Sequence, residues 1–188
     1  MANKDSAFGL KPIGKVGQNR DSQGLSEYSI AASSSAIYFN DPVKTSGGYL
    51  VVAGAGGNLR GSLNGVFFTH ASTSKPTFAN HLEASNTATD IVGFVSDDPY
   101  ERFEVQSNNT GASAQTDIGN VANIAYAAGS SPNYVSKVEL DDSDLATSDG
   151  QLKVISVSKD PDNNDLSSAN VNFVVTINEH FLKQEAGI

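Results

Sequence analysis

The chain has 188 residues, enough for one domain or one domain with a tail, and no cysteine, which excludes disulfides, thiolate nucleophiles and sulfur-ligated zinc. Its formal net charge of −9, with only 12 Lys and Arg against 21 Asp and Glu, repels phosphate and argues against a nucleic-acid partner. There is no basic n-region followed by an apolar h-region at the start, and no apolar run approaches a bilayer span. The expectation is therefore a protein that is soluble as made, without a membrane partner.

The polar opening Met1–Ala7 leads into Phe8-Gly9-Leu10-Lys11-Pro12-Ile13-Gly14. Gly9, Pro12, Gly14 and Gly17 keep this stretch out of helix, while Phe8, Leu10, Pro12 and Ile13 supply apolar anchors. We read residues 1–24 as an extended arm and 25–188 as a β-rich domain. Phe8, Leu10, Pro12 and Ile13 are the candidate contacts to a neighbouring subunit or shell, with packing on the arm's own domain as the alternative.

Beyond the arm, short apolar runs bounded by Gly, Asn, Asp, Ser and Pro predict strands. They fall over Glu27–Ile30, Ala36–Phe39, Tyr49–Ala53, Val66–Thr69, Ile91–Val95, Phe103–Gln106 and Lys137–Leu140. Ile91–Val95 is apolar on both faces and belongs inside a sheet, with Gly93 allowing a bulge or a close approach. Leu152–Val157 changes phase at Val154-Ile155, which predicts a bulge or burial on both sides. Val171–Asn178 alternates most clearly, with Val171, Phe173, Val175 and Ile177 on one face. Helix is confined to one or two turns near Thr116–Tyr126, where Asp117 can cap. No internal repeat or splitting linker is evident. The predicted fold is all-β, a single sandwich or barrel with an extended N-terminal arm and at most one or two short helical turns.

Chemistry-bearing patterns are weak. Asp160-Pro161-Asp162-Asn163-Asn164-Asp165 resembles a cation loop, but Asp165 and Val171 stand where an EF-hand needs Gly and Glu. Asp141-Asp142-Ser143-Asp144 reads as a solvated turn. His70, His81 and His180 lack ligand spacing, and Gly54-Ala55-Gly56-Gly57 is followed by no Lys-Ser or Lys-Thr. Asp97, Asp98, Glu101 and Glu104 could form a paired-carboxylate site, although Asp97-Asp98-Pro99-Tyr100 is also an ordinary turn. Asn108-Asn109-Thr110 is formally a glycosylation acceptor. We expect no catalytic, metal or cofactor site, and no enzyme. Tyr49, Phe78, Tyr100 and Tyr134 would serve a carbohydrate- or receptor-binding module, the competing reading.

Several blocks, in order, resemble the head decoration or cement proteins of tailed bacteriophages. They are Phe8-Gly9-Leu10-Lys11-Pro12, then Ser35–Val43, then Asp97-Asp98-Pro99 with Phe103–Gln106. Asp117-Ile118-Gly119-Asn120, Lys159–Asn163 and Phe173–Asn178 with Glu179-His180 complete the series. The resemblance implies a β-rich module, often a homotrimer, made in the host cytoplasm and seated on the outside of a virion. Its partner there would be the major capsid protein, whose neighbouring subunits it bridges. It implies no catalytic residues.

Overall fold

The computed structural model describes residues 2–17, 24–108, 113–146 and 148–183. Among these, thirteen strands form. They are β1 (Lys11–Lys15), β2 (Ser26–Ser29), β3 (Pro42–Ser46), β4 (Tyr49–Val52), β5 (Gly61–Thr69), β6 (Pro76–Ala79) and β7 (Val92–Ser96). The second half supplies β8 (Glu101–Gln106), β9 (Val121–Ala122), β10 (Ile124–Ala125), β11 (Glu139–Leu140), β12 (Leu152–Val157) and β13 (Asn172–Ile177). One sheet runs β1-β8-β13-β12-β9. The other runs β2-β7-β5-β3-β4, with β6 added to the far half of β5. A separate ribbon of β10 and β11 packs Ile124 and Leu140 into the core of the first sheet. All the strand pairs are antiparallel, and the sheets pack together as a β-sandwich.

The period-2 pattern explains the first sheet. Val171, Phe173, Val175 and Ile177 all point into its core and are essentially inaccessible, joined there by Phe103, Val105, Leu152 and Val154. The phase change read at Val154-Ile155 is a register shift between Val154 and Ser156, which turns Ile155 outward to 39% exposure. In the second sheet, Leu63, Val66, Val95, Val43 and Leu50 pack with Ile30, Ile37, Leu82 and Ile91. Gly93 lies in this core because a Cβ there would meet the side chains of Leu50 and Ile30 at 2.9 and 3.0 Å. The bulge in this region falls in β5, between Leu63 and Gly65, opposite Val95 and Phe94 rather than Gly93.

Two expectations change. Near the predicted window Thr116–Tyr126, helix is limited to one 3-10 turn, Gln115–Asp117, with the Asp117 carboxylate accepting from the Ala114 N–H at 2.7 Å. Val121 and Ile124 are buried, so strand pairing in β9 and β10 overrides the alanine propensity that favours helix. Single 3-10 turns also occur at Asp142–Asp144 and Phe181–Lys183, which makes three such turns among the described residues. Part of the acceptor Asn108-Asn109-Thr110 and residues 18–23 of the arm lie outside those residues.

The arm is a correction of a different kind. Leu10 is fully buried in the core of the first sheet, so it faces its own domain and leaves the set of candidate partner contacts. Its N–H donates to the Asn40 carbonyl at 2.9 Å. Residues 11–15, read as part of an irregular arm, are β1, an edge strand on β8. Upstream, amide side chains hold the backbone. Gln106 Nε2 and Asn163 Nδ2 both donate to the Lys4 carbonyl, at 2.8 and 2.7 Å, and Gln106 Oε1 accepts from the Ser6 N–H at 2.8 Å. Asn3 Nδ2 donates to the carbonyls of Asp165 and Ala169. The segment lies along its own β12–β13 connection.

Candidate functional site

The predicted chemical sites resolve into structural roles. Asp97 accepts from Ser26 Oγ at 2.8 Å and from the Tyr28 hydroxyl. Asp98 pairs with Lys15 Nζ at 2.6 Å and accepts from the Tyr100 N–H. Glu101 is buried and accepts from the Gly14 N–H at 3.0 Å. Burial pushes its carboxyl above the usual range, against the opposing pull of that N–H. Glu104 accepts from the Ser158 hydroxyl and from Lys11 Nζ. Each carboxylate is committed to fixing β1, β2 or the β12–β13 connection against β8 or its leading turn.

The cation-type loop behaves similarly. Asp160 Oδ1 accepts from the Asp162 N–H, Asp165 accepts from Ser167 and Ser168, and Asp162 is met by Lys4 Nζ at 2.6 Å. Those oxygens serve turn geometry and one ammonium. Asp141 likewise accepts from the N–H and hydroxyl of Ser143. Among the described residues, no cluster of three or more His, Cys, Asp or Glu could hold a metal ion.

The glycine loop has the opposite polarity from a phosphate cradle. The carbonyls of Gly54, Gly56 and Gly57 converge on Gln151 Nε2 at 3.1, 3.1 and 3.0 Å. Gln151 is fully buried, and its Oε1 accepts from the Ile124 N–H. Gly56 and Gly57 both adopt a φ of +77°, which turns their carbonyls inward. Sequence reasoning missed this knot because no local signal links Gln151 to residues about a hundred positions away.

The histidines also separate. His180 is buried where a parallel bridge joins it to Leu59, and its Nδ1 accepts from the Leu182 N–H. Burial lowers the pKa of its imidazole. His81 stacks on Tyr134 with ring centroids 3.7 Å apart, while His70 sits on an exposed turn. Arg60, beside this region, is clamped between the rings of Tyr28 and Phe181 at 4.5 and 3.8 Å, and its Nε donates to Thr45 Oγ1. That clamp ties Phe181 to the second sheet.

The outer face of the second sheet carries an apolar patch. After the bulge in β5, Val66 and Phe68 turn inward and Phe67 turns outward, opposite Phe78 of β6. Phe67 and Phe78 have centroids 4.8 Å apart, and Phe78 stacks at 6.3 Å on Phe94 of β7. Phe78 is 74% exposed. Leu25, Asn64, Phe78 and Phe94 line a shallow hollow of about 330 Å³ on this outer face. Three aromatic rings on adjacent strands, turned to solvent, form a patch that folding alone does not require. Tyr49 and Tyr100 are also exposed, at 47% and 64%, but lie elsewhere, whereas Tyr134 is held in the His81 stack.

Of the predicted contact residues, Ile13 stands out at 41% exposure. Pro12 pairs with Phe103 and Gly14 with Arg102, so Ile13 is the extra residue of a bulge and is pushed outward. Phe8 and Pro12 are half-buried, with Lys11 Nζ over the Phe8 ring at 5.9 Å. The bulge, Pro12 and the two lysines blunt β1 against pairing with a foreign strand.

Comparison with protein families, curated proteins and solved structures yields no match.

Proposed function

We propose that this chain is a structural protein of a tailed-phage virion that coats the outer surface of the head and bridges neighbouring subunits of the major capsid protein. The observation that carries the reading is the outward aromatic cluster Phe67, Phe78 and Phe94. A contiguous apolar patch on a sheet face suits the dry centre of a protein interface. The ordered blocks that resemble head decoration proteins support the major capsid protein as the partner. Ile13, extruded at the edge of the first sheet, offers a second apolar contact. Action as a homotrimer fits the same reading. Three linked copies make the second and third contacts intramolecular, which raises avidity without stronger individual contacts.

The test is stoichiometric co-purification with intact particles, followed by occupancy measurements on Phe78→Ser and Phe94→Ser. Native-like folding with occupancy lowered by tenfold or more is the expected result, corresponding to about 1.4 kcal/mol or more per site. Absence of the protein from purified virions refutes the proposal. A carbohydrate- or receptor-binding module is the second reading, favoured by the exposure of Phe78, and a glycan screen that yields a Phe78-dependent binder would select it.

A further inference from the structure

We propose that Asn64–Gly65 is a site of spontaneous deamidation, at which a neutral amide on the rim of the aromatic face becomes an aspartyl or isoaspartyl carboxylate. The inference is independent of the partner proposed above. Asn64–Gly65 is the single Asn-Gly pair in the sequence. The fold places it at the bulge of β5. Leu63 pairs with Val95 and Gly65 with Phe94, so Asn64 is the extra, unpaired residue of the bulge. On the opposite side, β3 pairs only with Gly61 and Ser62, and the pairing with β6 starts at Val66, so neither strand pairs with Asn64. Its side chain is exposed and, among the described residues, has no hydrogen-bond, ionic or ring partner.

The chemistry needs only water. The Gly65 nitrogen, its proton taken by hydroxide, attacks Asn64 Cγ, and glycine offers no Cβ to obstruct it. The new C–N bond closes a succinimide ring as the Cγ–Nδ2 bond breaks, and the amide departs as ammonia with a proton from solvent. Water then adds to either ring carbonyl, a ring C–N bond breaks, and the nitrogen regains its proton. One water is consumed, one ammonia is released and nothing is oxidised or reduced. The product adds one negative charge to the formal −9.

That charge would appear at a junction. Asn64 lines both the aromatic hollow and a neighbouring cleft of about 450 Å³ whose walls include Lys11, Lys15, Asp98 and Glu101. The chain also contains an internal contrast, Asp149-Gly150, which could form the same ring. There Gly150 is buried, a Cβ on it would stand 2.7 Å from the Ala122 nitrogen, and its carbonyl accepts from Asn178 Nδ2 at 2.9 Å. Packing of that order resists the rotation that ring closure requires.

The experiment incubates the folded protein in mildly alkaline buffer, with an acidic aliquot as control, and follows it by peptide mapping, mass spectrometry and ion exchange. The expected result is loss of the native peptide containing residues 64–65, faster than for any other asparagine. Two acidic isomers should replace it, one of them a substrate for an isoaspartate-specific methyltransferase. Asn64→Gln should abolish the early charge shift, and the peptide containing Asp149-Gly150 should yield no isoaspartate over the same period. An intact Asn64 after other asparagines have reacted overturns the proposal, as does an unchanged charge shift in Asn64→Gln.

Discussion

Asp41 offers a direct test of how burial sets stability in this fold. It is fully buried where the chain enters β3, its Oδ2 accepting from the Tyr38 N–H at 2.7 Å and its Oδ1 lacking a partner among the described residues. Burial pushes its carboxyl up to about 6 from 3.8, against the opposing pull of the Ser136 hydroxyl and the Tyr38 N–H. Folding therefore favours the protonated form. The stabilisation is complete below the unfolded pKa and disappears as pH rises through the folded one. At about 1.4 kcal/mol per pKa unit, the loss between pH ~4 and ~7 is about 3 kcal/mol. Asp41→Asn keeps an acceptor for Tyr38 and cannot ionise. Urea unfolding across that range should show the variant about equal to wild type at the acid end and more stable by up to about 3 kcal/mol at neutrality. Parallel stability curves for the two proteins would refute the reasoning.

Other substitutions probe the remaining joints. Gly9→Ala should cost at least about 3 kcal/mol, read as a lowered melting temperature, because φ is +76° and the new Cβ would lie 2.4 Å from the Asn40 carbonyl oxygen. Arg60→Lys should cost about 2 kcal/mol in chemical denaturation despite keeping the charge, since an ammonium cannot fill the slot between Tyr28 and Phe181. Gln151→Glu should destabilise by roughly 3 kcal/mol or more at neutral pH, with partial recovery on acidification, because a carboxylate would face the carbonyls of Gly54, Gly56 and Gly57. Phe78→Ser should change folding stability by less than about 0.5 kcal/mol, because the ring is 74% exposed, while lowering particle occupancy.

The sequence by itself determined what alternation can carry: the all-β class, the buried face of β13, the break in phase in β12 and the interior place of β7. These features depend on side-chain period and on residues close in the chain, so they are legible without coordinates. Tertiary structure decided the rest. Pro42–Ser46 and Pro76–Ala79 carry weak strand signals and become strands through pairing with β5. Leu10 looks like a free anchor until Asn40 and the first core enclose it. The glycine loop invites an anion until Gln151 fills it. Phe67, Phe78 and Phe94 lie in separate runs and become one surface only because β5, β6 and β7 align them. Such pairings join positions far apart in the chain, and hydrogen-bond register, which local composition does not encode, selects which of them meet.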